Sequence, residues 1–227
     1  ASAIYEIKGN NVLWDKMSIG ADSKTFQIIS EVYGKDKDRV YYMGKVVSGA
    51  NPTTFKVIVY PYFRDSKNVY YFESLIEGAD SQTFKFINQD YIIDANYIYC
   101  KGKKVEGGDK DSLVIMESGG YAKDKNYVYR YCSILPGVQS SSFTIIDYNY
   151  TKDIKNVYLN DKAINADPES FGIFDYTNHG VYSKDEKNIY LNGIKADGIY
   201  YISNRNMFDK LRGKIILKAE EKGEAYY

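Results

Sequence analysis

The sequence predicts an all-β protein, a tandem array of about seven β-hairpin modules of about 29 residues each. Three observations predict this fold. A β-branched residue followed by tyrosine recurs at a nearly constant step, an aspartate precedes most copies by four residues, and tyrosine supplies 25 of the 227 residues. Aromatic and β-branched residues favour strands, and a repeat of this length is typical of stacked modules.

The anchors of the repeat begin with the divergent pair Val12-Leu13, and successive anchors are 28, 29, 29, 30, 29 and 32 residues apart. Alternation along a strand places the two anchor residues on opposite faces of a sheet. The residue after the tyrosine is mostly apolar, so we expect the face of the β-branched residue to be the inner one. The regular anchors are Val40-Tyr41, Val69-Tyr70, Ile98-Tyr99, Val128-Tyr129, Val157-Tyr158 and Ile189-Tyr190.

A second tyrosine stands seven residues before each anchor, beginning with Tyr5. The two tyrosine columns are expected to pack one module on the next as a repeat-stacking ladder. If one column faces solvent, it is an interaction ladder instead. The twelve tyrosines of the regular copies are Tyr33, Tyr62, Tyr91, Tyr121, Tyr150, Tyr182, Tyr41, Tyr70, Tyr99, Tyr129, Tyr158 and Tyr190.

An aspartate four residues before the anchor is predicted to close a short turn, because its carboxylate can accept hydrogen bonds from the turn's own amides. A nearby asparagine is expected to take the left-handed conformation that closes the hairpin. Lys8 replaces the aspartate in the first copy. The predicted structural turn residues are Asp36, Asp65, Asp94, Asp124, Asp153 and Asp185.

Two further turns complete the module. Met43-Gly44, Lys101-Gly102 and Asn192-Gly193 predict a second hairpin turn, and residues 167–171 predict one capped turn of helix. A module therefore holds three or four short strands and one helical turn. A propeller blade usually takes about 40 residues or more, so an open stacked or superhelical β array is favoured over a small closed β-propeller.

The array is predicted to span residues 1–202, and residues 203–227 are interpreted as a linker and a terminal β-hairpin, either a cap or the start of a further domain. The start at Ala1 without methionine fits a processed exported protein or a fragment.

Charge and composition exclude several functions. Lysine plus arginine and aspartate plus glutamate number 30 each, so no basic surface is predicted for nucleic acid. No apolar run approaches the roughly 18 residues of a membrane span. One histidine and two cysteines are too few for a structural zinc site, and the spacing of the aspartates favours turns over calcium ligands, so we predict no cofactor.

Residues 124–129, Asp-Lys-Asn-Tyr-Val-Tyr, resemble the DKNYY repeat family, as do Asp-Lys-Asp-Arg-Val-Tyr-Tyr at 36–42 and Asp-Ser-Lys-Asn-Val-Tyr-Tyr at 65–71. The similarity covers residues 5 to about 200. This resemblance implies a bacterial protein, often exported or attached to the surface, of unassigned activity. The family defines no catalytic residues that would carry over.

Cys100 and Cys132 lie two and four residues past their anchors in adjacent modules. This parity places them on one sheet face, two positions out of register, near the upper limit of about 7 Å for a disulfide. The sequence leaves open a disulfide or two buried free thiols.

The function predicted from these features is non-enzymatic. We expect an extracellular or cell-surface bacterial protein with a structural, assembly or adhesive role, whose partner is a second copy or another surface protein. The alternative is a module that binds cell-wall or surface polysaccharide by stacking sugar rings on a tyrosine ladder. A glycosidase-like enzyme with paired aspartates is third, and the only histidine, His179, lies in a polar insertion.

Overall fold

The computed structural model describes residues 4–177 and 180–195. Within these ranges the chain is almost entirely strand and turn, and the strands form seven antiparallel sheets, none of which closes into a barrel. The predicted all-β array of hairpin modules is confirmed. His179 and the predicted linker and hairpin at 203–227 lie outside the described residues, so those predictions stay predictions.

The chain divides into two compact units, Ala1–Leu113 and Val114–Tyr227. The first unit holds sheets 1 to 4. Sheet 1 consists of β1 (Tyr5–Lys8), β2 (Asn11–Trp14) and β3 (Met17–Ser18). Sheet 2 consists of β4 (Gln27–Ile28), β5 (Tyr33–Lys35), β6 (Val40–Tyr42) and β7 (Lys45–Val46). Sheet 3 consists of β8 (Lys56–Val59), β9 (Tyr62–Arg64), β10 (Val69–Tyr71) and β11 (Ser74–Leu75). Sheet 4 consists of β12 (Lys85–Phe86), β13 (Tyr91–Ile93), β14 (Ile98–Cys100) and β15 (Lys103–Lys104).

The second unit holds sheets 5 to 7. Sheet 5 consists of β16 (Val114–Ile115), β17 (Tyr121–Lys123), β18 (Val128–Arg130) and β19 (Ser133–Ile134). Sheet 6 consists of β20 (Thr144–Ile145), β21 (Tyr150–Lys152), β22 (Val157–Leu159) and β23 (Lys162–Ile164). Sheet 7 consists of β24 (Gly172–Thr177), β25 (Gly180–Lys184), β26 (Ile189–Leu191) and β27 (Ile194–Lys195).

Each sheet is a meander in which consecutive strands pair, and in sheets 2 to 7 the central hairpin carries the aspartate turn and the anchor. In sheet 2 this hairpin pairs Tyr33 with Tyr42 and Lys35 with Val40. Over the part of the chain that the structure describes, no helix is both long and apolar enough to cross a membrane.

Both faces of an inner sheet are buried. On sheet 2, Val40 packs with Phe63 and Tyr70 of sheet 3. Tyr41, on the other face, packs with Trp14 of sheet 1. The prediction of a single inner face was therefore wrong, because each such sheet lies between two neighbours and both its faces are core.

The same stacking recurs elsewhere in each unit. Tyr62 and Val69 of sheet 3 share a cluster with Tyr99 of sheet 4. In the second unit, Val157 of sheet 6 clusters with Tyr190 of sheet 7. The β-branched anchor residue thus faces the following sheet, and the anchor tyrosine faces the preceding one. Stacking is therefore directional, with two different faces in contact between sheets 1 and 2, 2 and 3, 3 and 4, and 6 and 7.

The second hairpin turn has the predicted left-handed backbone. Met43 and Gly44 have φ values of 46° and 77°, as a type I′ turn requires. The asparagines of the aspartate turn do not have a positive φ, so that prediction was wrong. Since the aspartate already accepts the turn amides, no left-handed residue is needed. The side chain of Asn68 instead donates to the Tyr70 hydroxyl at 3.2 Å.

The predicted helical turn is only partly right. It appears as a short 3-10 helix at Lys110–Ser112 and Ser140–Ser142, whereas residues 168–170 form a simple turn. The segment holds about three residues, which is enough for a 3-10 turn but too few for the bonds of an α-helix.

Candidate functional site

The most regular polar feature of the molecule is a buried carboxylate in each aspartate turn. In sheet 2, Oδ1 of Asp36 accepts the amides of Asp38 and Arg39 at 2.8 and 2.7 Å. Its Oδ2 accepts the Asp22 amide at 3.0 Å and the Tyr41 hydroxyl at 2.8 Å. One carboxylate therefore joins the hairpin turn, the anchor tyrosine and the loop that precedes the sheet.

This arrangement recurs along the chain. The anchor tyrosine donates its hydroxyl to the aspartate at 2.8, 3.2, 2.9, 2.6, 2.8 and 2.5 Å in the modules of Asp36, Asp65, Asp94, Asp124, Asp153 and Asp185. A backbone amide from the preceding loop is a further donor. These loop donors are Asp22, Asn51, Asp80, Gln139 and Asp167. All six predicted turn aspartates thus lie in such turns, and the loop bond is a contact that the sequence did not reveal.

The hydrogen bonds set the charge of these groups. Burial disfavours a charged Asp36, but the four donated hydrogen bonds outweigh that effect and hold its pKa below the ordinary value. The pKa of Asp185 falls to about 2 for the same reasons, with the Tyr190 hydroxyl as the strongest of its donors. Burial, and next the bond to Asp36, raise the pKa of Tyr41 to about 12. At neutral pH the pair is a carboxylate and a neutral phenol.

The geometry leaves these carboxylates little capacity for other chemistry. A carboxylate offers about four lone-pair sites, and in Asp36 protein donors occupy all four. A general base needs a pKa near the operating pH and a free lone pair, and Asp36 has neither. Among residues 4–177 and 180–195, no three histidine, cysteine, aspartate or glutamate side chains are grouped as metal ligands.

Both tyrosine columns are buried. Each of the twelve rings predicted as a ladder is at most 6% exposed. A sugar ring stacks on an open aromatic face, so these rings are placed for packing between sheets and not for contact with a glycan.

Two hydroxyls of the tyrosine column that stands seven residues before the anchors bond to the backbone of the next module. Tyr5 of sheet 1 donates to the carbonyl of Val32 at 3.3 Å and accepts the amide of Gly44 at 3.0 Å. Tyr62 of sheet 3 likewise donates to the carbonyl of Asp90 at 2.9 Å. These two tyrosines therefore help to fix the register of neighbouring sheets as well as filling space between them.

A second contact that sets register lies where the residue directly after an anchor pair meets the second hairpin turn of the next module. A Cβ on Gly44 would lie 2.7 Å from Cβ of Trp14, and one on Gly102 would lie 2.8 Å from Cβ of Tyr71. Glycine is required at both turns for two reasons. The backbone there is left-handed, and a Cβ would collide with the side chain of the neighbouring sheet.

Between sheets 5 and 6 an ion pair occupies this junction. Arg130 lies 2.7 Å from a carboxylate oxygen of Asp161, and the Tyr121 hydroxyl donates to the other oxygen at 2.7 Å. The bond to Asp161 is the main cause of the raised pKa of Arg130. Sequence reasoning missed Asp161. Its offset of 31 residues from Arg130, which matches that of Gly102 from Tyr71, is the signal that identifies it.

The two cysteines hold the module positions that Arg130 and Asp161 hold one module later. Cys100 follows the anchor tyrosine and is buried, and Cys132 is in a second hairpin turn with a φ of 73°. Neither is a free thiol. The pairing of Cys100 with Cys132 stays a prediction.

One polar cleft of about 200 Å³ opens beside sheet 2 and is lined in part by Thr25, Lys35, Asp36 and Pro52. Its charged groups already have partners within the protein, since Lys35 donates to the Pro52 carbonyl at 2.8 Å and Asp36 accepts four donors. Pockets for small molecules are commonly about 300 Å³ or more. The cleft therefore offers little to a ligand.

Directional stacking, close contacts that set the register of neighbouring sheets, and a turn carboxylate repeated in six of the seven modules define a tandem-repeat protein built of β-hairpin sheets. The sequence model of the DKNYY family matches residues 2–74 and 62–193, so the chain belongs to the DKNYY family. No curated protein and no solved structure matches the chain.

Proposed function

We propose that this protein is a non-enzymatic, exported bacterial surface protein whose repeat array has a structural, assembly or adhesive role. One observation carries the proposal: the polar groups that recur in six of the seven modules are those that hold the module together. Asp36 and Tyr41 are examples of the turn aspartate and the anchor tyrosine. Asp36 accepts four hydrogen bonds from groups inside the fold, and one of them comes from the Tyr41 hydroxyl. What the repeats present outward is a surface with a regular spacing.

A regular spacing suits contact with an extended or repeated partner. Each module offers the same outward positions about 29 residues further along the chain, and several weak contacts then act together. The partner is a second copy of the chain or another protein of the same surface.

Two observations support export. Neither cysteine is a free thiol, and disulfides persist mainly in oxidising compartments outside the cytosol. The DKNYY resemblance, moreover, implies a family whose members are often exported or attached to the surface.

Negative-stain electron microscopy of the purified chain at rising concentration tests the assembly role. Regular assemblies or paired particles are expected. The adhesive role is tested by adding labelled chain to intact cells of the producing bacterium. Dispersed single particles at every concentration, together with no binding to those cells, contradict the proposal.

A further inference from the structure

The hydroxyl of Tyr33, in the first unit, has no hydrogen-bond partner. Tyr33 is 1% exposed, and its hydroxyl is buried without a donor or an acceptor among residues 4–177 and 180–195. The corresponding hydroxyls of Tyr5 and Tyr62 bond to the backbone of the next module. A buried polar group without a partner is costly, so the surroundings of Tyr33 are a place to look for a group that binds from outside.

The second unit shows how such a hydroxyl is used when its partner is in place. Tyr121 holds the module position of Tyr33, and its hydroxyl donates to one carboxylate oxygen of Asp161 at 2.7 Å. Arg130 lies 2.7 Å from the other oxygen, and its guanidinium carbon lies 5.0 Å from the centre of the Tyr121 ring. At this junction a phenol and a guanidinium thus bind one carboxylate together.

Sheets 2 and 3 have the same junction without the cation. Glu73 lies 40 residues after Tyr33, as Asp161 lies after Tyr121, so Glu73 holds the module position of Asp161. Tyr42 stands at the position of Arg130. Glu73 is therefore a carboxylate for which its own module and the preceding one supply no arginine.

Glu73 is available to a group from outside. It is exposed, and it forms no ion pair with any residue that the structure describes. Burial is the main cause of the raised pKa values of Tyr33 and Tyr42, and the negative charge of Glu73 raises both further, so the carboxylate lies near both phenols. Asp161 has a φ of 66°, whereas Glu73 has no positive φ. The two side chains therefore leave their turns differently.

An exposed aromatic ring lies beside this carboxylate. Tyr60 is 51% exposed, and its hydroxyl lies 3.4 Å from that of Tyr42. Its ring centre is 5.5 Å from that of Phe72, the residue before Glu73. A planar guanidinium stacks on aromatic rings and pairs with a carboxylate through two parallel hydrogen bonds, so it suits this combination better than an ammonium does.

We propose that Glu73 and the exposed ring of Tyr60 bind the guanidinium of an arginine side chain on a partner protein, while the Tyr33 hydroxyl donates to the Glu73 carboxylate. The inference deepens the proposed function, rests on it and names the chemistry of its partner. An unpaired carboxylate is costly to bring toward a buried hydroxyl, and the guanidinium lowers that cost by pairing with the charge.

Another protein is a better source of this arginine than a second copy. The described residues include three arginines, Arg39, Arg64 and Arg130. Arg64 donates to the carbonyl of Ser81, Arg130 pairs with Asp161, and Arg39 interacts with the Tyr41 hydroxyl. Each of these side chains already has a partner within its own chain.

A nuclear magnetic resonance titration of the full chain with N-acetyl-arginine amide tests the binding site. N-acetyl-citrulline amide has nearly the same shape without the charge and is the control compound. We expect saturable shifts of the Phe72 and Glu73 backbone amides in the millimolar range with the arginine compound, because a single exposed ion pair is weak, and none with the citrulline compound. Equal shifts with both compounds, or no saturable shift with the arginine compound, overturn the inference.

Three variants test the assignment of residues. Glu73→Gln removes the charge with little change of shape and is expected to weaken binding about fivefold or more. Tyr33→Phe is expected to weaken binding to a lesser extent without lowering the urea midpoint, because its hydroxyl has no hydrogen bond to lose. Glu77→Gln is the matched control, since Glu77 is an exposed glutamate close by in the sequence, and it is expected to bind like the wild type. A Glu73→Gln variant that binds as tightly as the wild type overturns the inference.

The cell-binding assay separates this inference from the proposed function. Labelled Glu73→Gln chain is expected to bind intact cells of the producing bacterium several-fold less than the wild type, and Glu77→Gln equally well. If Glu73→Gln and the wild type bind cells alike, the arginine contact is wrong but the adhesive role stands. If the wild type neither binds cells nor assembles, the proposed function fails and the protein partner fails with it, whereas a saturable titration still supports the guanidinium site.

Discussion

The aspartate of each turn has a structural role that its residue type suggests but does not specify. An aspartate before an aromatic strand is compatible with a metal site, a catalytic carboxylate or a turn. The structure distinguishes these, because Asp36 accepts four hydrogen bonds and is shielded from solvent. Its carboxylate acts as the centre of the module.

Removing this carboxylate is expected to destabilise the fold strongly. Asp36→Ala leaves three amides and the Tyr41 hydroxyl without an acceptor, and each buried donor costs about 1 to 3 kcal/mol. We expect a loss of about 3 to 5 kcal/mol in the free energy of unfolding, measured by urea titration. Asp38→Ala is the control, since Asp38 is an exposed residue of the same turn. Equal losses in the two variants would show that the hydrogen bonds of Asp36 contribute little.

Stability is expected to depend on pH at both extremes. The pKa values of Asp36, Asp65, Asp94, Asp153 and Asp185 are lowered in the fold, so their contribution is present above about pH 4 and is lost as pH falls through the lowered values. The pKa values of Tyr41, Tyr70, Tyr158 and Tyr190 are raised to about 12, so their contribution is present below pH 10 and is lost as pH rises toward 12. Urea midpoints from pH 2 to 12 should therefore form a plateau near neutrality. A midpoint that rises as pH falls below 4 would contradict this account.

Residue identity predicted part of this site and not the rest. The turn role of Asp36 follows from its position before a strand and from the chemistry of its side chain. The bond from the Asp22 amide does not, because it joins residues 14 apart and depends on how the loop folds back. The left-handed conformation of the asparagines was wrongly predicted for a related reason. The aspartate carboxylate already accepts the amides of the turn, so the turn needs no residue with a positive φ.

At the scale of the element, register between sheets depends on close approach. The turn at Gly102 rests on Tyr71 of the sheet beneath it. The repeat spacing of the sequence predicted that modules stack. It did not show that both faces of a sheet are core, because Val40 and Tyr41 are both apolar enough to be buried and alternation alone does not choose between them.

Glycine at this contact is expected to be irreplaceable. Gly102→Ala adds a Cβ 2.8 Å from Cβ of Tyr71 at a φ of 76°, whereas Gly78→Ala adds one with no atom within 4 Å at a φ of 77°. Backbone strain is thus matched, at about 1 kcal/mol. The clash is expected to cost Gly102→Ala a further 1 to 3 kcal/mol or so, seen as a lower thermal midpoint. Equal thermal midpoints for the two variants would show that the neighbouring sheets move apart to accept the added Cβ at little cost in stability.

The cysteines provide a second test at this scale. Cys100 and Cys132 hold the module positions that Arg130 and Asp161 hold one module later, which supports their pairing. We expect the intact chain to be lighter by two hydrogens than the reduced chain, and a proteolytic digest to contain one linked peptide with both residues. A digest in which either cysteine is alkylated without prior reduction would exclude the bond.

At the scale of the whole molecule, the function that we propose is contact with a partner. The sequence predicted the tandem array, its resemblance to the DKNYY family and the spacing of about 29 residues between modules. The exposure of Ile29, Ile58 and Ile87 was not visible in it, because isoleucines of this kind resemble core residues until the structure shows them exposed. Their regular step becomes informative only when it is combined with exposure.

Chemical cross-linking on intact cells of the producing bacterium tests the central claim most directly. A reagent that joins lysines and does not cross membranes is applied, and the chain is recovered under denaturing conditions. We predict that the chain is recovered in cross-linked species with a second copy or another surface protein. A chain that reacts only after the cells are lysed, or that reacts on intact cells without entering any cross-linked species, would contradict a surface protein that acts by contact.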